Sequence, residues 1–236
     1  MLKNILAGII ALMGTIAFAA DVSPKEDVQA AAKKLADSAN YSWKTTTESG
    51  FGTGTEEGKI EKDGVTLLSV TFFDSTTQIV KKGDKGALKM EGAWMSFDEA
   101  AKSGEEGQPN PARFIAMMMR NHKAPAAIVQ DLIAKSKELK KTDDGWSADL
   151  TEEGVKDLLS FGPRREGGPQ VTGAKGSAKF WAKDGVISKV EYKLEGSMKF
   201  NDQDADVGRK TVIEVKDAGT TKVEVPADAK AKIEAK

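Results

Sequence analysis

The chain predicts an α+β fold: a long, curved antiparallel β-sheet, a half-barrel, with helices covering one face. Three observations predict it. From Val186 to Phe200, fifteen residues alternate between an apolar set (Val186, Val190, Tyr192, Leu194, Met198, Phe200) and a largely charged one (Lys189, Glu191, Lys193, Glu195, Lys199), the pattern of a sheet wet on one side. Shorter alternating runs separated by glycine turns fill much of the rest. One long helical pattern, Asn110 to Leu139, stands between them.

The first residues belong to a processing signal. Lys3 gives a short positive start, Ile5 to Phe18 is uncharged and apolar, and Ala17-Phe18-Ala19 offers small residues where a signal peptidase reads. The apolar run falls short of the ~20 residues of a spanning helix. Residues 1–19 are therefore expected to be removed, leaving one domain over residues 20–236 in the periplasm or medium. Losing Lys3 takes 35 basic residues to 34 against 36 acids, a balance that disfavours nucleic acid. No cysteine is present, so the core cannot lean on disulfides and no thiol carries a lipid anchor.

In order, Ser23-Pro24-Lys25-Glu26 is a capping box opening a helix to about Ser38. Tyr41, Trp43, Thr45 and Thr47 alternate as a half-buried strand. A turn through Gly50 to Gly54 leads to a weak polar strand around Lys59 to Lys62, and Asp63-Gly64 signals a hairpin. Val65 to Phe73 carries apolar groups on both faces, as a central strand does. Strands at 76–82, 87–91 and 93–97 follow, then a second capping box at Ser96-Phe97-Asp98-Glu99. Asn110-Pro111 starts the main helix, with Phe114, Met117 and Met118 on one face. His122 and Lys123 suit its negative end. Pro125 opens a second helix with Ile128, Leu132, Ser136 and Leu139 on a stripe. A strand with Trp146, Ala148 and Leu150, a helix capped by Thr151 and a loop over 162–169 come next. Val171–Lys183 and Val186–Phe200 form a hairpin about Asp184-Gly185. A fifteen-residue strand spans about 50 Å, so bending is expected, with Gly173, Gly176 and Gly196 as its sites. Strands at 209–216 and 220–225 close the sheet, and the tail after Pro226 is expected to fray.

Catalytic signatures are missing. Gly50 to Lys59 lacks the glycine and hydroxyl spacing of a phosphate loop, since Thr53 and Ile60 occupy those places. His122 is the only histidine, so no two-histidine zinc site forms. Asp202, Asp204 and Asp206 alternate as in a calcium loop, but Val207 replaces its glycine and Ile213 its bidentate acid. No cofactor, metal site or enzyme activity is expected. The chemistry on offer is apolar. Met117, Met118 and Met119 form a soft cluster that reads either as ordinary core, since methionine fills irregular gaps, or as the wall of a cavity for a lipid or acyl chain, since methionine suits surfaces that adapt to varied apolar shapes. The expected ligand-binding residues are Phe114, Met117, Met118 and Leu132 on the helices, Phe73 on the central strand, and Val190, Tyr192, Leu194 and Met198 on the long strand.

Glu91-Gly92-Ala93-Trp94 before Ser96-Phe97, the closing Gly219-Thr220-Thr221-Lys222-Val223-Glu224-Val225-Pro226, and the order of elements along residues 20–236 resemble the periplasmic lipoprotein-carrier superfamily, LolA-like and LppX-like. The resemblance implies a half-open barrel with a helical lid over a hydrophobic cavity. It implies a soluble exported carrier or binder of lipid or of a lipoprotein's acyl chain, touching membranes peripherally at most. The alternative is a cell-envelope protein-interaction or sensing module with a filled core. Export makes a direct prediction: N-terminal sequencing of secreted protein should begin at Ala20 or Asp21, and material beginning at Met1 contradicts it.

Overall fold

In the computed structural model, residues 23–72, 75–104, 108, 110–160, 170–200 and 203–234 are described. Helix α1 (Pro24–Asp37) leads into strands β1 (Asn40–Ser49), β2 (Gly52–Glu61), β3 (Val65–Phe72), β4 (Ser75–Lys82), β5 (Lys85–Met90) and β6 (Ala93–Ser96). Then come helices α2 (Phe97–Lys102), α3 (Pro111–Arg120) and α4 (Pro125–Ala134), strands β7 (Lys140–Lys141) and β8 (Trp146–Asp149), and helix α5 (Glu152–Leu159). Strands β9 (Val171–Lys183), β10 (Val186–Phe200), β11 (Gln203–Asp206) and β12 (Arg209–Lys216) precede a last helix, α6 (Ala227–Glu234).

The twelve strands form one open antiparallel sheet, in the order β6-β5-β4-β3-β2-β1-β12-β10-β9-β8-β7, with β11 paired to β10. The first and last long strands, β1 and β12, pair along eight residues in the middle of the sheet. Local signals set the element boundaries. The capping boxes at Ser23 and Ser96 both form, each serine accepting from the N3 backbone while its glutamate accepts from the cap N–H. Asn110 caps α3 and Thr151 caps α5 as the sequence predicts.

Helices α1, α4, α3 and α5 lie over one sheet face, where Tyr41, Trp43, Leu68, Ile79, Val190, Leu194 and Ile213 join Val28, Leu35, Val129, Leu132, Val155 and Leu159 in a continuous buried core. The opposite face is not bare. Val80 and Ala87, on alternate positions from Ile79 and Leu88, are also fully buried, and α6 packs on β4, β5 and β6. Ala229 is the fully buried residue of α6, and Lys232 reaches Glu99 of α2 at 2.7 Å. The tail after Pro226 is thus a packed helix rather than a frayed end. The chain from 220 to 225 is not a strand. Both edges of β12, the strand it follows, are already taken by β1 and β10, so it cannot fold back as a hairpin partner of β12.

Three further expectations change. The glycine-rich stretch is strand from Gly52 onward, paired with β1 from Ser49 opposite Gly52, and Gly58 in it leaves room for an indole: a Cβ there would come 2.1 Å from Trp43 Cζ2. The second central helix stops at Ala134; Ser136 bridges instead to Leu150 of the sheet edge. The long strand's alternation is broken by a register shift between Ile187 and Lys189, which turns Ile187 into the core at 1% exposure. A second shift lies at Gly196, one of the predicted bend sites. Gly176 and Gly196 also let α5 approach, since a Cβ at either would come 2.9 Å from Val155 or Leu159. The loop expected over 162–169 lies outside the described residues.

Gly58→Ala should therefore cost about 1–3 kcal/mol by overpacking against Trp43. Gly50→Ala, where a Cβ meets nothing within 4 Å, should stay within about 0.5 kcal/mol of the parent. Denaturant melts compare the two; equal midpoints would show that the indole is not wedged against this glycine.

Candidate functional site

Helix α3 is where burial departs most from the sequence pattern. It turns two alanines and one methionine inward: Ala112, Ala116 and Met119 are buried, whereas Phe114, Met117 and Met118 are 54%, 58% and 46% exposed. These three were expected to face the long strand across a cavity. Instead the alanines let the backbone of α3 settle close to α2 and β5, and the bulkier stripe points away from the sheet.

The other expected ligand contacts lie elsewhere. Leu132 and Val190 have 0% exposure, Leu194 has 1% and Met198 has 4%. A side chain lining a void wide enough for water registers accessible area, so the packing around Leu132, Val190 and Leu194 is solid. Tyr192 is partly buried and hydrogen-bonded with Thr211, and burial pushes its phenol up. Phe73 lies outside the described residues. Among the described residues, the structure thus separates an exposed set on α3 (Phe114, Met117, Met118) from a buried or half-buried set between sheet and helices (Leu132, Val190, Tyr192, Leu194, Met198), and it does not bring the two sets together.

Beneath the turn joining α3 to α4 lies a polar cluster that the sequence does not announce. Lys81 of β4 is 7% exposed, and its ammonium donates to Met119 O at 2.8 Å and His122 O at 3.1 Å. A cation there adds a hydrogen bond to the carbonyls at the end of α3 and complements its dipole. His122 Nε2 lies 2.9 Å from Glu56 Oε2, the two side chains 12% and 16% exposed, and the Trp43 indole donates to Glu56 Oε1 at 2.8 Å. The Trp43 and His122 rings are close to parallel at 15°, centroids 6.4 Å apart. Placing His122 at the helix end was sound, but its ring turns into the protein and serves Glu56. Lys123 pairs with Asp131 at 3.0 Å. The partners of His122 come from β1 and β2, and a span from Glu56 to His122 leaves no local spacing to read.

Burial alone would raise the Glu56 carboxyl, but hydrogen bonds from His122 and Trp43, with the Lys81 charge, hold it below the usual glutamate value. Burial lowers the Lys81 ammonium, opposed by Asp84 and Glu56. The cluster holds acid and base groups, yet both carboxylate oxygens of Glu56 are engaged by protein groups, Trp43 and His122. Its evident work is to bind the helix pair to the sheet.

Two open hollows are notable among the described residues. One, about 450 Å³, lies between α2 and α3 and is lined by Ala101, Arg113, Ala116, Met117 and Arg120. The other, about 620 Å³, lies on the opposite sheet face under the segment after β12, with Ser42, Lys59, Leu67 and Asp217 among its lining. The acidic hairpin of β10 and β11 holds Asp204 and Asp206, the latter accepting from Gly208 N at 2.7 Å; Asp202 lies outside the described residues.

No family model matches the chain, and no curated protein matches it in sequence. Among solved structures, the crystal structure of LprF from Mycobacterium bovis is similar in overall course, with a TM-score of 0.43 and 10% identity over 87% of this chain and 97% of that one. A likeness this distant carries nothing about ligand or site.

The clamp has a testable pH signature. Because Glu56 titrates below its unfolded value, the stability it adds is fully present above that value, ~4.3, and is lost as pH falls through the lower folded value. Glu56→Gln should cost about 1–3 kcal/mol at pH 7 and progressively less below pH ~4. Denaturant titrations of parent and variant at both pH values check this; a difference that does not shrink in acid would remove the clamp's ionic part.

Proposed function

We propose that this protein is an exported binder of lipid, or of the acyl chain of a lipidated protein, and that the chain lies along the outer side of α3. One observation carries the reading. Of the five large hydrophobic side chains most exposed among the described residues, three (Phe114, Met117 and Met118) fall within five residues of one helix. Leaving such a stripe in water costs apolar hydration that a bound chain removes, and clustered exposed apolar groups mark contact surfaces. Two adjacent methionines can reshape around chains of different form. No helix among the described residues is long and apolar enough to cross a membrane, which accords with a protein that meets lipid from the aqueous side. The reading is of a binding protein that sequesters and releases, with no bond made or broken.

This keeps the ligand class that the sequence suggests and moves the ligand from the interior to the surface. The solid packing around Leu132 and Val190 favours the second reading, an envelope protein-interaction module whose core is filled. The two diverge on small apolar probes. The parent should take up a fluorescent fatty acid, and the triple variant Phe114→Ser, Met117→Ser, Met118→Ser should bind it at least about tenfold more weakly, since each truncated side chain forfeits part of the ~1.5–3 kcal/mol of a fully buried apolar group. The variant's melting temperature should barely move, because exposed positions carry little folding energy. A parent that takes up no probe would favour the module. A variant that binds unchanged would place the chain elsewhere.

A further inference from the structure

The groove between α2 and α3 has a charge pattern that specifies one end of its ligand. Arg113 and Arg120 are seven residues apart on α3, two turns, and so line the same side of it. Between and opposite them are Met117, Ala116 and Ala101, an apolar floor kept open by two alanines. A hollow of about 450 Å³ falls in the ~300–1,000 Å³ range of small-molecule sites.

The cations around it outnumber the anions. Asp98 of α2 is bound by Arg120 at 2.5 Å. Its carboxyl is held below the usual value by that arginine first, and by Lys102 and Lys85 as well. The other acid of α2, Glu99, is engaged by Lys232 of α6. The Arg113 guanidinium donates one bond, to Ser103 O at 3.2 Å, and no ion pair engages it among the described residues. Its remaining donors are disposed as a planar fork that matches a carboxylate. Glu105 and Glu106, the next acids along the chain, lie outside the described residues.

We infer that this groove takes a single-chain amphiphile with a carboxylate head, such as a free fatty acid. The head sits on Arg113, and the alkyl chain runs over Ala116 and Met117 to the exposed stripe of α3. The inference rests on the reading of α3 as an apolar-chain surface and adds the chemistry of the head.

The test uses the full chain and two probes, a fatty acid labelled at its chain end and the methyl ester of the same molecule. The acid should bind about fivefold more tightly than the ester, the upper end for an exposed ion pair. That preference should shrink as salt is raised. Arg113→Gln should weaken binding of the acid about fivefold and leave the ester unchanged, while Arg113→Lys, which keeps the charge, should retain part of the preference. If acid and ester bind the parent equally, or Arg113→Gln still prefers the acid, the head-group assignment is wrong although α3 binds chains. Should the parent take up neither probe, the apolar-chain reading falls and this inference with it.

Discussion

A single buried ammonium fixes how the helical layer meets the sheet. Lys81 reaches from β4 to Met119 O in the last turn of α3 and to His122 O just beyond the helix. Withdrawing a lysine head group from water is expensive, and only partners of this quality make it tolerable: two carbonyls at the negative end of a helix, with Glu56 and Asp84 in electrostatic reach. Once that end of α3 is pinned, its rotation follows. His122 is delivered onto Glu56, Ala112, Ala116 and Met119 face inward, and Phe114, Met117 and Met118 are left outside. The apolar exterior of α3 is thus a consequence of a polar contact underneath it.

The same contact depends on space made elsewhere. Trp43 can donate to Glu56 only because its indole lies over Gly58, directly opposite on β2. Across the sheet, Gly176 and Gly196 play a comparable part for α5, and the register shift at Gly196 bends β10 around it. Small residues at chosen points let helices sit close to a curved sheet, and close seating is what leaves Leu132 and Val190 with no accessible surface.

How much of this was legible follows from the range of each interaction. Capping boxes, proline-led helix starts and Asp-Gly hairpins act within four residues, and Ser23, Ser96, Asn110 and Pro125 fixed their elements as read. Period-two patterning gave β1 and β10, a run apolar on both faces gave β3, and the Asp184-Gly185 turn gave β9, and with them the fold class. The facing of α3 was misread because amphipathic logic selects the bulky stripe as the buried one, whereas close helix packing selected the alanines. Thr220–Val225 has strand propensity, but propensity yields to context, since the adjacent β12 is already paired on both sides. The tail's Ala/Lys composition shows little amphipathic contrast, and only the apolar outer face of β4 and β5 gives α6 something to cover. The clamp joins positions 43, 56, 81 and 122, whose proximity is a product of the whole sheet order.

The division between inner and outer apolar residues also bears on how a binder of this shape would work. A carrier that swallows its ligand must open, and opening here means breaking the Lys81 and Glu56 contacts and exposing groups such as Leu132, Val190 and Leu194, each of which contributes ~1.5–3 kcal/mol when kept from water. With native stability of only ~5–15 kcal/mol, separating the two layers approaches unfolding. A ligand on the outer side of α3 asks for no such motion. Phe114, Met117 and Met118 are already in solvent, and residues that contribute little to folding are free to contribute to recognition. The clamp and the exposed stripe are then complementary: the firmer the polar hold beneath α3, the more constant the apolar face it presents.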